Sequence, residues 1–227
     1  MLVAVSTIHR FLADQSFYPI VLSTLLAFGF LVGRMIYGES WHYSNLIWNL
    51  FLAWIPYFFS LFAAWIDRVF HKKWWLLLPP AALWLIFFPN APYIVTDFLH
   101  LAYRPPIPLW YDIGLLATYA WTGCFLAIAS LRTMQYLVGK YLGRFVSWLF
   151  VGAVLTLSGF GIYLGRFGRF NSWDLFFQPK DVIKDVLLRL INPFNNLRVF
   201  AFTIMFTAFL LVLYLMFSSI RQFDEER

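Results

Sequence analysis

The stretch FFPNAPYIVTDFLHL, Phe87 to Leu101, decides how this 227-residue chain is organised. It places polar and ionisable side chains, among them Asn90, Asp97 and His100, inside a sequence that is otherwise almost continuously apolar. Ionisable groups are costly at membrane depth, so they tend to face a bundle interior or a cavity and to mark functional sites. The stretch therefore predicts a membrane protein and the position of its site.

Composition indicates the same class of protein. The chain is 62% hydrophobic, 22% aromatic and 12% charged, whereas soluble domains are roughly 25% charged. We expect an all-α, polytopic membrane protein. The net charge of +6 does not indicate nucleic acid as a partner, because the basic residues lie in short clusters between apolar runs, as orientation in a membrane requires. The expected partner is membrane lipid. The single cysteine, Cys124, is interpreted as a small core residue.

Six apolar runs predict six transmembrane helices, since about 20 residues cross a hydrocarbon core of about 30 Å. The predicted spans are 17–36, 45–66, 74–88, 109–131, 145–165 and 197–217. No linker or low-complexity segment separates them, so we expect one integral membrane domain over residues 1–227. The first 16 residues lack a basic n-region and a cleavage site, and we expect no cleaved signal peptide.

The basic residues of two connections predict the orientation. The connections after the second and fourth spans carry Arg68, Lys72, Lys73, Arg132, Lys140 and Arg144. Because cytoplasmic loops hold the excess of Lys and Arg, we place both connections and both termini in the cytoplasm. The connection after the fifth span is also basic, and alternation nevertheless places it outside.

The third span is short, and Pro79-Pro80 interrupts it. Residues 74–88 make about 22 Å of helix at about 1.5 Å per residue. We therefore expect a broken or re-entrant element at Pro89–Pro92 within the outer leaflet, which is tolerated only where protein buries it or water lines it. A second half-helix over 93–103 should follow. Its one continuous face would hold Asn90, Tyr93, Asp97, His100 and Arg104.

A second amphipathic pattern follows the fifth span, in QPKDVIKDVLLRLINP, residues 178–193. Apolar residues recur on one side, and the polar side carries Asp181, Lys184, Asp185 and Arg189. The pattern predicts an amphipathic helix that lies in the membrane interface, with its basic residues towards headgroups.

Three polar clusters lie on the same membrane face under this topology. They are the Asn90–His100 stretch, PLWYD ending at Asp112, and GRFGRFNSWD, and Glu39 and His42 lie on the same side. Each has a simpler explanation, because Asn and Asp suit helix N-termini and Arg can snorkel to headgroups. Their convergence favours one shared site. The candidate ligand-binding residues are Asn90, Tyr93, Asp97, His100, Asp112, Arg166, Arg169, Asn171 and Asp174.

Two chemistries fit these residues. In the first, Arg166 and Arg169, one helical turn apart, bind phosphate or carboxylate with their planar guanidinium groups. The aspartates of the three clusters orient them, and His100 exchanges a proton. In the second, Asp97 and His100 join Asp112 or Asp174 as ligands of a divalent metal. No HExxH, CxxC, Walker A or dinucleotide motif is present, so the metal signal is weak and we predict no cofactor.

The ordered motifs FFPNAPYIVTDFLHL, PLWYD and GRFGRFNSWDL resemble the bacterial integral membrane family known as "domain of unknown function 1361". The resemblance covers nearly the whole chain. It implies a multi-span protein of a bacterial membrane, and it brings no activity and no catalytic residues.

Three functions stay open. The first is a site on the extracytoplasmic face that binds, or also processes, an anionic or lipid-linked ligand. The second is a small transporter or channel subunit, for which a broken helix with polar residues at depth is expected. Against transport, spans one, two and six hold almost no charge that could line a path. The third is a structural protein whose Asp and Arg clusters only clamp loops. Whether the protein is an enzyme stays open as well.

Overall fold

The computed structural model describes residues 2–70 and 73–225. Lys72, which contributes to the predicted orientation, lies outside these residues. The described part contains helices and no β-strand, so the all-α prediction is confirmed. The chain divides into two compact units, Met1–Met134 and Gln135–Arg227, which we call the first and second units. The single-domain assignment stays a prediction.

In its described residues, the first unit holds five α-helices, two short 3₁₀ helices and the greater part of a sixth α-helix. The α-helices are α1 Leu2–Asp14, α2 Phe17–Gly38, α3 Asn45–Val69, α4 Leu78–Phe87, α5 Asn90–Tyr93 and α6 Leu109–Leu142. The 3₁₀ helices are Trp74–Leu77 and Ile94–His100.

The second unit begins with the last residues of α6. It continues with α7 Arg144–Phe167, α8 Asp174–Phe177, α9 Pro179–Ile191, a 3₁₀ helix Pro193–Asn196 and α10 Leu197–Glu225. The predicted amphipathic helix is α9, and its helical state is confirmed.

Six segments of the described chain are long and apolar enough to cross a membrane. They are Phe17–Gly38, Asn45–Val69, Trp74–His100, Leu109–Leu142, Arg144–Phe167 and Pro193–Ser219. This number agrees with the prediction, and the segment starts at 17, 45, 74 and 109 are the predicted ones. Apolar runs bounded by Gly, Pro and charged residues determine these segments.

The predicted basic loop after the fourth span is wrong. α6 continues from residue 131 to Leu142, so Arg132 and Lys140 lie on the helix, and Gly143 alone connects α6 to α7. Leu131, Met134 and Leu137 stay buried at helical spacing, which explains why the helix does not stop at the first basic residue. Gly143 has φ +91°, a conformation that glycine adopts at low cost.

The third span is interrupted at Phe88–Pro89, between α4 and α5, close to the predicted position; the re-entrant path stays a prediction, and other details differ. Pro79 and Pro80 lie in the first turn of α4, where a proline is tolerated because first-turn N–H groups have no partner within the helix. They therefore begin the helix and do not interrupt it. The half-helix predicted over 93–103 is wrong, since Ile94–His100 is a 3₁₀ helix and the backbone is extended at Leu101. Arg104 precedes a proline, which disfavours helix, and it pairs with Ile107 in an isolated β-bridge.

The break is buried by protein, which is the condition for irregular backbone at membrane depth. Ala91 and Ile94 are almost fully buried. They lie against Gly123 of α6, where a Cβ atom would collide with the Ala91 carbonyl oxygen and press on Ile94. A glycine at 123 therefore lets α6 approach the broken element closely.

Candidate functional site

A buried ion pair joins α2 to the first turn of α6. The Arg34 Nε atom donates to Asp112 Oδ1 at 2.6 Å, and its Nη2 atom donates to Oδ2 at 3.1 Å. Both side chains are only 1% exposed. The two parallel bonds are the bidentate geometry that makes Arg–carboxylate pairs strong and directional. Asp112 is therefore neutralised by Arg34.

Tyr43, on the connection between α2 and α3, covers this pair. Its ring centre lies 4.7 Å from the Arg34 Cζ atom, and its hydroxyl donates to the His100 carbonyl oxygen at 3.2 Å. Burial raises the pKa of Tyr43, and the Asp112 carboxylate raises it further. The hydroxyl therefore stays protonated at neutral pH and remains a donor. Tyr43 links the Asn90–His100 stretch to Asp112.

Arg104 lies on the same ring and differs from Arg34 in its partners. Its Cζ atom is 5.3 Å from the centre of the Tyr43 ring, and its side chain is half-buried. Within residues 2–70 and 73–225, no carboxylate forms an ion pair with Arg104. We call Arg34, Tyr43, Arg104 and Asp112 the Tyr43 cluster. Its Arg34 charge is balanced and its Arg104 charge is not.

Asp97 is held beside this cluster by α3. The side chain is 1% exposed, and the Asn49 amide donates to its Oδ2 atom at 2.8 Å. Asn90 is the first residue of α5 and Pro89 is its N-cap; the Asn90 amide donates backwards to the Phe87 carbonyl oxygen at 3.0 Å, at the end of α4. The His100 side chain is exposed. The face predicted on α-helical spacing is therefore divided, because Asp97 is buried and His100 is not.

Tyr93, also predicted, is the half-buried last residue of α5 in the first unit. The other four predicted residues, Arg166, Arg169, Asn171 and Asp174, lie in the second unit. Arg166 is in the last turn of α7, but α7 ends at Phe167, and Arg169 lies beyond it with φ +58°. The two arginines therefore do not share a helical face as predicted. Asp174 Oδ2 accepts from the Asn171 backbone N–H at 2.6 Å and from its amide at 3.4 Å, a local turn that begins α8. A site shared by the three clusters stays a prediction.

The metal hypothesis gains no support. Among the residues that the structure describes, no group of three or more His, Cys, Asp and Glu side chains could hold a metal ion. The argument against transport is weakened, because α2 buries Arg34, within the first predicted span, and α3 buries Asp67, one residue beyond the second.

The sequence interpretation missed Arg34, Tyr43 and Asn49 as site residues. Two of them carried a usable signal: Arg34 lies within the first predicted span and Asn49 within the second, and polar groups at such positions mark functional or structural sites.

The helices and the buried pair define a class, that of multi-pass helical membrane proteins. A family model described as "Protein of unknown function (DUF1361)" matches residues 48–213. The chain belongs to this family, and the resemblance seen in the sequence motifs is confirmed. The matched range contains Asp97, Arg104 and Asp112 and leaves Arg34 outside. No curated protein and no solved structure is significantly similar to the chain.

Proposed function

We propose that the Tyr43 cluster binds the anionic group of a membrane lipid or of a lipid-linked ligand, with Arg104 as its anchoring cation. The observation that supports this most directly is the half-buried Arg104 guanidinium, which lies on Tyr43 and forms no ion pair with a carboxylate in the described residues. Arg34 is less suited to this role, because Asp112 and Ser40 accept hydrogen bonds from it and its side chain is only 1% exposed.

The chemistry of Arg104 suits a phosphate. A guanidinium group presents N–H donors in a planar fork that matches phosphate oxygens, and it stacks on aromatic faces. The Tyr43 ring restricts the side chain before any ligand arrives, which lowers the ordering cost of binding.

The surroundings favour a lipid as the source of that phosphate. Exposed aromatic side chains lie within three residues along the chain of each member of the cluster: Tyr37, Trp41, Tyr103 and Trp110. Tyr and Trp are enriched where a membrane meets water. Arg104 and its neighbours then lie at headgroup depth, where a lipid phosphate is present at high local concentration.

The proposal includes a location. We place the protein in the bacterial cytoplasmic membrane with both termini in the cytoplasm, on the strength of the resemblance and of the basic residues Arg68 and Lys73. The connections that hold Tyr43 and Arg104 then both lie on the extracytoplasmic side.

Lipid titration of the purified full-length protein tests the proposal. Native mass spectrometry in detergent would compare phosphatidylglycerol, phosphatidylcholine and inorganic phosphate. We expect phosphatidylglycerol to bind preferentially and Arg104→Gln to weaken it by about tenfold or more, since hydrogen bonds to charged groups contribute about 1.5–3 kcal/mol. Preferential binding of inorganic phosphate would show that the site takes a free anion.

Arg68→Gln is the matched control. Arg68 also lies on an aromatic ring, with its Cζ atom 4.4 Å from the Phe11 ring centre, but it has Asp14 at 3.6 Å. The Arg68→Gln substitution therefore removes the same charge, but from an arginine that already has an acidic partner. Equal phosphatidylglycerol binding by wild type, Arg104→Gln and Arg68→Gln would contradict the proposal.

The structural alternative is supported for one part of the cluster. The Arg34–Asp112 pair is closed on itself, and its geometry suits a clamp between α2 and α6. This role is compatible with ligand binding by Arg104.

A further inference from the structure

α9 packs on the rest of the second unit through a side that carries charge. Val182 is buried, and Asp185 and Arg189 are half-buried. Arg189 Nε donates to Asp185 Oδ2 at 2.6 Å and Nη2 donates to Oδ1 at 2.9 Å. The Arg189 Cζ atom lies 5.4 Å from the ring centre of Tyr163 on α7. The ion pair fixes Arg189 within α9, and the contact of Arg189 with Tyr163 joins α9 to the C-terminal part of α7.

The outward side of α9 carries a row of exposed apolar residues as well as the exposed charges of Lys180, Asp181 and Lys184. Ile183, Leu187 and Ile191 lie one turn apart, and all three are exposed, Ile191 by 70%. The exposed apolar row distinguishes α9 from a helix in water, which turns its apolar stripe to the protein. The arrangement also differs from the sequence interpretation, in which Arg189 faced headgroups.

We infer that this outward face inserts into the boundary between headgroups and acyl chains of an anionic bilayer, so that α9 lies along the membrane surface. Two lysines, Lys180 and Lys184, are exposed on α9, where they complement anionic headgroups. Phe177 and Phe194 are exposed just before and just after the helix. α9 also lies in the chain between two candidate spans, Arg144–Phe167 and Pro193–Ser219.

A lipid surface explains both properties of this face better than a protein partner does. The apolar residues need an acyl environment, while the lysines need anions within reach of their flexible side chains, which snorkel to headgroups. Continuity with α7 and α10 brings the bilayer to α9 without any further partner. The inference concerns the second unit alone and does not depend on the proposed function.

Site-specific fluorescence on the full-length protein tests the inference. Single cysteines at Leu187 and, as a matched control on the same helix, at exposed Asp181 would be introduced in a Cys124→Ala background and labelled with bimane. In proteoliposomes, lipid carrying a nitroxide near the headgroup should quench the label at 187 more than the label at 181. Iodide in the aqueous phase should quench the label at 181 more.

Lipid charge provides the second measurement. Quenching at 187 by nitroxide lipid should increase when phosphatidylglycerol is added to phosphatidylcholine vesicles, and Lys180→Gln with Lys184→Gln should remove the increase. Equal lipid quenching at 187 and 181 would overturn the inference. A second result would also overturn it: lipid does not quench the label at 187, and unlabelled cysteines at 187 form disulfides between two copies. A second copy of the chain would then cover the face.

Discussion

Removing one partner of the Arg34–Asp112 pair should destabilise the protein strongly, because the other charge is left in a buried site. Each side chain is 1% exposed, and two hydrogen bonds of 2.6 and 3.1 Å join them. Breaking such a buried pair costs about 3–5 kcal/mol in soluble proteins. Asp112→Asn keeps the volume of the side chain and removes its charge, so we expect a loss in this range.

The exposed pair Arg68–Asp14 is the control for this magnitude. Its nitrogen and oxygen atoms are 3.6 Å apart, and its side chains are 49% and 60% exposed. Exposed pairs contribute about 0–1 kcal/mol because water screens the charges. Asp14→Asn should therefore lower the free energy of unfolding much less than Asp112→Asn does.

The assay is unfolding by SDS in mixed micelles. It compares wild type, Arg34→Met, Asp112→Asn, the double variant that combines these two changes, and the control Asp14→Asn. The double variant leaves no stranded charge, so it should recover a large part of the loss. Two results would refute the reasoning: an Asp112→Asn loss no larger than that of Asp14→Asn, or losses that simply add in the double variant.

Three further results are expected. Gly123→Val should reduce stability by about 1–3 kcal/mol through overpacking against the broken element. Gly114→Ala should not, because its added Cβ atom meets no atom within 4 Å. Equal effects of the two variants in SDS titrations would contradict the close approach of α6 at Gly123. Tyr43→Phe should cost about 0.5–1.5 kcal/mol. Because the folded state raises the pKa of Tyr43, wild type should lose stability above about pH 10 more steeply than the variant does; parallel pH profiles would argue against it. In intact cells and a cysteine-free background, a membrane-impermeant thiol reagent should label a cysteine at His100 and not one at Lys73; the opposite pattern would invert the topology.

The spans could be predicted because their signal is local. A run of apolar residues must cross the membrane whatever its neighbours are, and the starts of α2, α3 and α6 follow from it directly. The Arg34–Asp112 pair is different, because its partners are 78 residues apart in the chain. Asp112 has a local explanation as an acidic residue at a helix N-terminus, and nothing near Arg34 in the sequence points to its partner. Only the packing of α2 on α6 reveals that they neutralise each other.

The segment after the break shows a second limit. Asn90, Asp97, His100 and Arg104 fall at α-helical spacing, so the sequence predicted one face. The chain instead forms a 3₁₀ helix, which has about three residues per turn and changes that spacing. Arg104 then leaves the helix entirely, because the proline after it favours extended backbone. Because Arg104 lies outside the helix, it reaches the Tyr43 ring, a contact that the helical spacing did not predict.

The clamp and the proposed binding site depend on each other through Tyr43. One ring lies 4.7 Å from the Cζ atom of Arg34 and 5.3 Å from that of Arg104. Two unbalanced cations this close to one ring would repel each other. The Asp112 carboxylate removes that cost by balancing Arg34, so that Arg104 can occupy the ring and keep its charge available for an anion. The structural and ligand-binding hypotheses therefore describe different members of the cluster, with Asp112 in the clamp and Arg104 in the binding site.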